Sequence, residues 1–146
     1  MRRLTVLLVE DNPRDVRLTE RAFEQAGVPH DLQVVRDGDE ALAYLHREGE
    51  YAAADSSPRP HMILLDLNLP RMGGHELMQR VRQDVRFRHV PIIVLTTSAR
   101  PDDVRQAYDN GANAYLLKPV EFSRFTEVIG HLASFWLETV ELPPEL

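Results

Sequence analysis

Short apolar runs alternate with longer amphipathic stretches along this chain. The runs LTVLLV (4–9), LQVV (32–35), HMILL (61–65), PIIVL (91–95) and AYLL (114–117) place Val, Ile and Leu on successive residues. Apolar side chains at both odd and even positions describe strands covered on both faces, as in a parallel sheet flanked by helices. Between the runs, apolar spacings of three and four predict helices over 13–26, 37–47, 74–85, 101–110 and 121–138. Five strands alternating with five helices predict an α/β fold, an open parallel sheet with helices on both sides.

The punctuation agrees with these limits. Asn12 is placed to cap the first helix, with Pro13 at its first position, where a missing N–H costs nothing. Pro101, Asp102 and Asp103 open the fourth helix with negative charge at its positive end. NGAN (110–113) stops that helix. The last helix carries Phe122, Phe125, Ile129, Leu132 and Trp136 as one apolar stripe. Two segments fall outside the pattern: a long connection over 47–60, read as an ordinary solvated loop, and a tail over 138–146.

Composition narrows the class. A chain of 146 residues suits one domain, 1–146, with its core over about 4–137. A formal net charge of −6 argues against a general nucleic-acid or anionic-membrane binder. The absence of cysteine excludes disulfides, thiolate nucleophiles and thiolate-bound metals. The opening MRRLTVLLVED has too short an apolar run for a secretion signal and meets acids at once, so a cytoplasmic setting is expected. Six scattered histidines show no metal-ligand spacing.

Ligands of open parallel sheets sit beyond the carboxyl ends of the strands. Those ends carry Glu10 and Asp11 (first strand), Asp66 (third), Thr96 and Thr97 (fourth) and Lys118 (fifth). Three acids on two strands repel one another unless a cation neutralises them, and hard oxygen donors with room for water and phosphate suit Mg²⁺. A carboxylate, a divalent cation, a hydroxyl and an ammonium around one point can stabilise a phosphoryl group in transfer. Asp66 is then the nucleophile, with Lys118 and a threonine hydroxyl on the phosphoryl oxygens.

VEDN (9–12), DLNLPRMGG (66–74), VLTTSA (94–99) and LLKP (116–119), in this order, resemble the receiver domains of two-component response regulators, the group that includes the chemotaxis regulator. The resemblance runs from about Leu4 to Leu137 and implies a flavodoxin-like (βα)5 doubly wound sheet of strand order 2-1-3-4-5. It further implies Asp66 as phosphoacceptor and Glu10, Asp11, Asp66 and the Asn68 carbonyl around the metal. Thr96 and Tyr115 take the switch positions, Lys118 is the phosphate-pairing lysine, and Pro119 follows it in a cis peptide. Gly73 departs from the aspartate that many relatives carry there, with little effect expected. The 47–60 loop and the ending FWLETVELP (135–143) resemble, more narrowly, the small regulators of bacterial and cyanobacterial phytochrome kinases. That implies a light-regulated sensor histidine kinase as donor, and a homodimer. Phe135, Trp136 and Leu137, apolar in close succession at the end of the last helix, are the interface candidates, the other reading of Phe135 and Trp136 being core closure within one chain.

The expected function is therefore phosphoryl acceptance on Asp66 in a phosphorelay, acting on an unidentified downstream protein. The alternative is a receiver-shaped interaction module independent of phosphate. A phosphatase of the haloacid dehalogenase type needs a second aspartate two residues after the nucleophile, and position 68 is Asn.

Overall fold

The structure, a computed structural model, describes residues 3–144. Five strands, β1 (Leu4–Val9), β2 (His30–Val35), β3 (Met62–Leu65), β4 (Ile92–Thr96) and β5 (Ala114–Leu117), form one parallel sheet in the order β2-β1-β3-β4-β5. The helices between and after them are α1 (Pro13–Ala26), α2 (Gly38–His46), α3 (Gly74–Gln83), α4 (Pro101–Asp109) and α5 (Phe122–Ala133).

The successive apolar residues of the strands divide between two cores. Leu7, Val9, Ile63, Leu65, Ile92 and Val94 point toward α2 and α3, where Leu45, Leu77, Met78 and Val81 meet them. Val6, Leu8, Met62, Leu64, Ile93 and Leu95 point the other way, onto Phe23 of α1 and Phe125, Ile129 and Leu132 of α5. Period-2 alternation within each strand thus fills both faces. The sheet order reverses between β1 and β3, so the carboxyl ends of these two strands border the crevice of the fold.

Asn12 caps α1, its side-chain oxygen accepting from the backbone N–H groups of Arg14 (2.9 Å) and Asp15 (3.3 Å). Gly73 occupies the cap position of α3 with no side-chain bond, so the departure from aspartate leaves that helix without a side-chain cap. Gly74 is more constrained. A Cβ there would lie 2.8 Å from the Leu67 Cα and 2.9 Å from the Asp66 carbonyl oxygen. Both are backbone atoms of the loop that carries Asp66, so Gly74→Ala must push that loop aside. We expect a loss of about 2 kcal/mol in urea unfolding; an unchanged midpoint would show that the loop yields freely.

Three expectations need correction. The 47–60 segment is not a plain solvated loop. It makes two 3₁₀ turns (Gly49–Tyr51 and Ala54–Ser56) and buries Ser57 completely, its hydroxyl donating to the Tyr51 carbonyl at 2.8 Å and the Ala53 carbonyl at 3.0 Å. Tyr44 of α2 ties it down through a 2.6 Å bond to the Pro58 carbonyl. Secondly, α5 does not run as an α-helix to residue 138; Ser134–Thr139 widen into a π-helical turn closed by Val140 N–H on the Phe135 carbonyl. The wider turn directs Leu137 into the core while Phe135 stays exposed, so Leu137 is not available at the surface as an interface candidate. Finally, the described residues contain no cis peptide, so the Lys118–Pro119 bond is trans. The two isomers of such a bond differ by only about 0.5–1 kcal/mol, too little for a short motif to decide.

Candidate functional site

Five carboxylate, hydroxyl and ammonium side chains converge at the strand ends. Asp66 follows β3 directly, and its backbone N–H donates to the Val9 carbonyl of β1, extending the ladder one step past the strand. That bond draws Asp66 beside Glu10 and Asp11. Carboxylate oxygens of Glu10, Asp11 and Asp66 all lie within 4.8 Å of one another. Glu10 and Asp66 are buried, whereas Asp11 is exposed. The cluster is thus open on one side.

Lys118 enters from β5. Its backbone N–H donates to the Thr96 carbonyl at 2.8 Å, which fixes the residue after β5 against the end of β4. Its Nζ then reaches Glu10 Oε1 at 2.5 Å, Asp66 Oδ2 at 2.9 Å and Asp15 Oδ2 of α1 at 2.9 Å. Burial acts to lower the lysine pKa, but the bonds that Lys118 donates to these three acids outweigh it and hold the ammonium above its ordinary range. The Lys118 proton stays.

Four acids face one ammonium, so the group remains electron-rich. Burial pushes the Glu10 carboxyl from 4.5 up to about 7; the Lys118 bond opposes this and the Asp66 charge adds to it. Because the folded pKa lies above the unfolded one, Glu10 contributes stability that is full below pH 4.5 and lost as pH rises through 7. Between pH 5 and 8 the metal-free protein should therefore lose on the order of 2 kcal/mol relative to Glu10→Gln, which cannot titrate. A saturating divalent cation should flatten that difference by taking the place of the proton. Urea unfolding of both proteins at several pH values checks this, and parallel pH profiles without metal would count against it.

The remaining expected residues fall around this centre. Asn68 donates its backbone N–H to Asp66 Oδ1 at 3.1 Å, orienting the carboxylate. Thr96 ends β4 fully buried, and its hydroxyl has no hydrogen-bond partner. An unpartnered buried hydroxyl beside a carboxylate cluster suits a group that arrives later and accepts a hydrogen bond. Tyr115 is half-buried on β5, its hydroxyl donating to the Ser98 carbonyl in the β4–α4 loop at 2.8 Å. Ser98 in turn donates to Asp103 at 2.5 Å, and His75 of α3 stands 3.8 Å from the same carboxylate. Sequence reasoning missed Asp15, Ser98 and Asp103. Asp15 had one usable signal, its place one helical turn after Asp11.

The donor set fits a divalent cation: three carboxylates, hard oxygens and one open side. When bound, such a cation supplies charge neutralisation to phosphoryl oxygens. The chain's own groups do the rest. Asp66 presents a carboxylate held through Oδ1 by Asn68 N–H and through Oδ2 by Lys118, and the unpartnered Thr96 hydroxyl has a donor for an anion that joins it.

Comparison with known proteins agrees with this geometry. The response regulator receiver domain family matches residues 6–130. Response regulator Rcp1 of Synechocystis sp. is 41% identical over 138 residues, spanning 94% of this chain and 92% of that protein. Among solved structures, the phosphorylated cyanobacterial phytochrome response regulator RcpA superposes with a TM-score of 0.91 at 41% identity, over 98% of this chain and all of that one. The Mn²⁺-bound form of Rcp1 gives 0.88 at 40% identity, over 97% and 99%. With the fold, the acid cluster and these matches in agreement, the chain belongs to the response regulator receiver family.

Proposed function

We propose that this response regulator accepts a phosphoryl group on Asp66 from the phosphohistidine of a phytochrome-type sensor histidine kinase in the cytoplasm, with Mg²⁺ as its cation. The observation that carries the reading is the position of the Asp66 carboxylate, 2.9 Å from Lys118 Nζ and within 4.8 Å of Glu10 and Asp11 oxygens. An Asp66 oxygen attacks phosphorus, the phosphorus–nitrogen bond breaks, and its electron pair returns to the imidazole. Water later attacks the same phosphorus and the acyl–phosphate bond breaks, restoring the carboxylate and releasing phosphate.

Phosphorylation gives Thr96 and Lys118 an anion to hold. If Thr96 draws the β4–α4 loop toward that anion, the Tyr115–Ser98 bond lies directly in the moving segment. The signal then reaches the face of α4, β5 and α5, acting on another protein or a second copy. Residues 1–146 operate in this reading as one receiver domain. Phe135 is 54% exposed and meets Trp136 edge-on beside Leu116, Val128 and Leu132, which supports the end of α5 and the π-helical turn after it as the homodimer face. Sedimentation at tens of micromolar that finds only monomer, with and without phosphate mimic, removes the dimer.

The donor is tested by phosphotransfer from an autophosphorylated phytochrome-class kinase. Label should pass to this chain in the presence of Mg²⁺ and depend on the light state of the kinase. Labelling by acetyl phosphate but never by such kinases would remove the phytochrome link alone. No labelling from any donor would favour a phosphate-independent interaction module.

A further inference from the structure

Lys118 has three N–H donors, and three carboxylates occupy them: Glu10, Asp66 and Asp15. Glu10 and Asp66 also belong to the metal cluster, but Asp15 does not. It sits in the first turn of α1, where its N–H is held by the Asn12 cap at 3.3 Å and its carbonyl accepts from Thr19 at 2.7 Å. Asp15 is therefore fixed by its backbone and has its carboxylate turned onto the site, 17% exposed. An acid in a first helical turn also favours the helix dipole. That role needs no contact with Lys118, 103 residues away.

A phosphoryl group on Asp66 needs a donor from Lys118, and the ammonium has none to spare. Glu10 and Asp66 would themselves hold the cation. Asp15 is the partner that can be given up without disturbing the metal ligands. We propose that Asp15 is a positioning residue: it sequesters Lys118 in the unphosphorylated protein and competes with the phosphoryl group for its ammonium. This rests on Asp66 being the phosphoacceptor.

The proposal predicts two shifts of opposite sign. Without the Asp15 charge, Lys118 is less neutralised and repels Mg²⁺ more, so Mg²⁺ alone should bind more weakly. At saturating Mg²⁺ the freed ammonium should hold beryllofluoride, a mimic of the phosphoryl group on a carboxylate, about tenfold more tightly, the scale of one competing charge-assisted hydrogen bond. Mg²⁺ titration and beryllofluoride titration by fluorine NMR, on wild type, Asp15→Asn and Asp15→Ser, read both. Ser is well tolerated in a first turn and too short to reach Lys118, so it serves if Asn disturbs α1. Weaker Mg²⁺ binding with tighter mimic binding supports the proposal. Mimic binding that is unchanged or weaker in the folded variants overturns it, as does loss of both affinities together, the mark of a merely structural role. If wild type itself takes up no mimic, the phosphoacceptor reading falls with it, and that outcome is visible before any variant is compared.

Discussion

Asp66→Asn should abolish acyl-phosphate formation. Incubated with Mg²⁺ and acetyl phosphate, the wild type should gain the mass of one phosphoryl group, lost again in mild base, while the variant stays at its unmodified mass. The amide oxygen is a poor nucleophile and cannot carry the phosphoryl group as a stable anhydride. Fold and metal cluster should survive, because Asn keeps the shape of Asp and its carbonyl oxygen can still accept from Asn68 N–H, now at 3.1 Å on Oδ1. The variant should also lighten the load on Glu10, since the Asp66 charge is one of the causes that raise that carboxyl. Its stability without metal should therefore fall less steeply between pH 5 and 8 than that of the wild type. An adduct of equal yield on the variant would move the acceptor to Glu10 or Asp11.

The parts of this molecule that follow a period were legible in the sequence. Continuous apolar runs located the strands to within two residues, and β1 and β5 without error. Asn12, Pro13 and Pro101 announced helix starts because capping is local chemistry. The acids were legible because parallel topology sends strand ends to one edge, and so Glu10, Asp11 and Asp66 met once the strand order was right. Features satisfied by non-periodic side-chain bonds left little such trace. Ser57 is buried because two non-periodic carbonyls accept from it. The Asp15–Lys118 contact joins the first turn of α1 to the residue after β5, 103 positions apart, and no motif spans that distance. The π-helical turn after Ala133 and the trans bond at Pro119 each turn on small local energies, which tertiary contacts decide.

Lys118→Met should be the most destabilising single change at the site. Met fills a similar volume and keeps the backbone bond to the Thr96 carbonyl, so β5 stays paired to β4. What disappears is the cation between Glu10, Asp15 and Asp66, whose side chains are 3%, 17% and 8% exposed. Removing one member of a buried ion pair costs about 3–5 kcal/mol, because the partners keep their desolvation penalty and lose its compensation. The Lys118 bond is the largest influence lowering the Glu10 carboxyl, so without it Glu10 moves further up from about 7. The sign follows: the folded variant binds protons more avidly than the unfolded chain, so its deficit should be large at pH 8 and shrink as pH falls toward 5. A divalent cation should recover part of it at pH 8, since it supplies positive charge to the same oxygens. Phosphorylation by acetyl phosphate should be strongly slowed even then, because no ammonium remains to meet the phosphoryl oxygens. Urea unfolding at pH 5 and 8, with and without Mg²⁺, reads the stability part directly. A variant as stable as wild type at pH 8 without metal would mean that the three acids do not depend on Lys118. Lys118 would then serve the phosphoryl group alone, and Asp15 would have nothing to compete for.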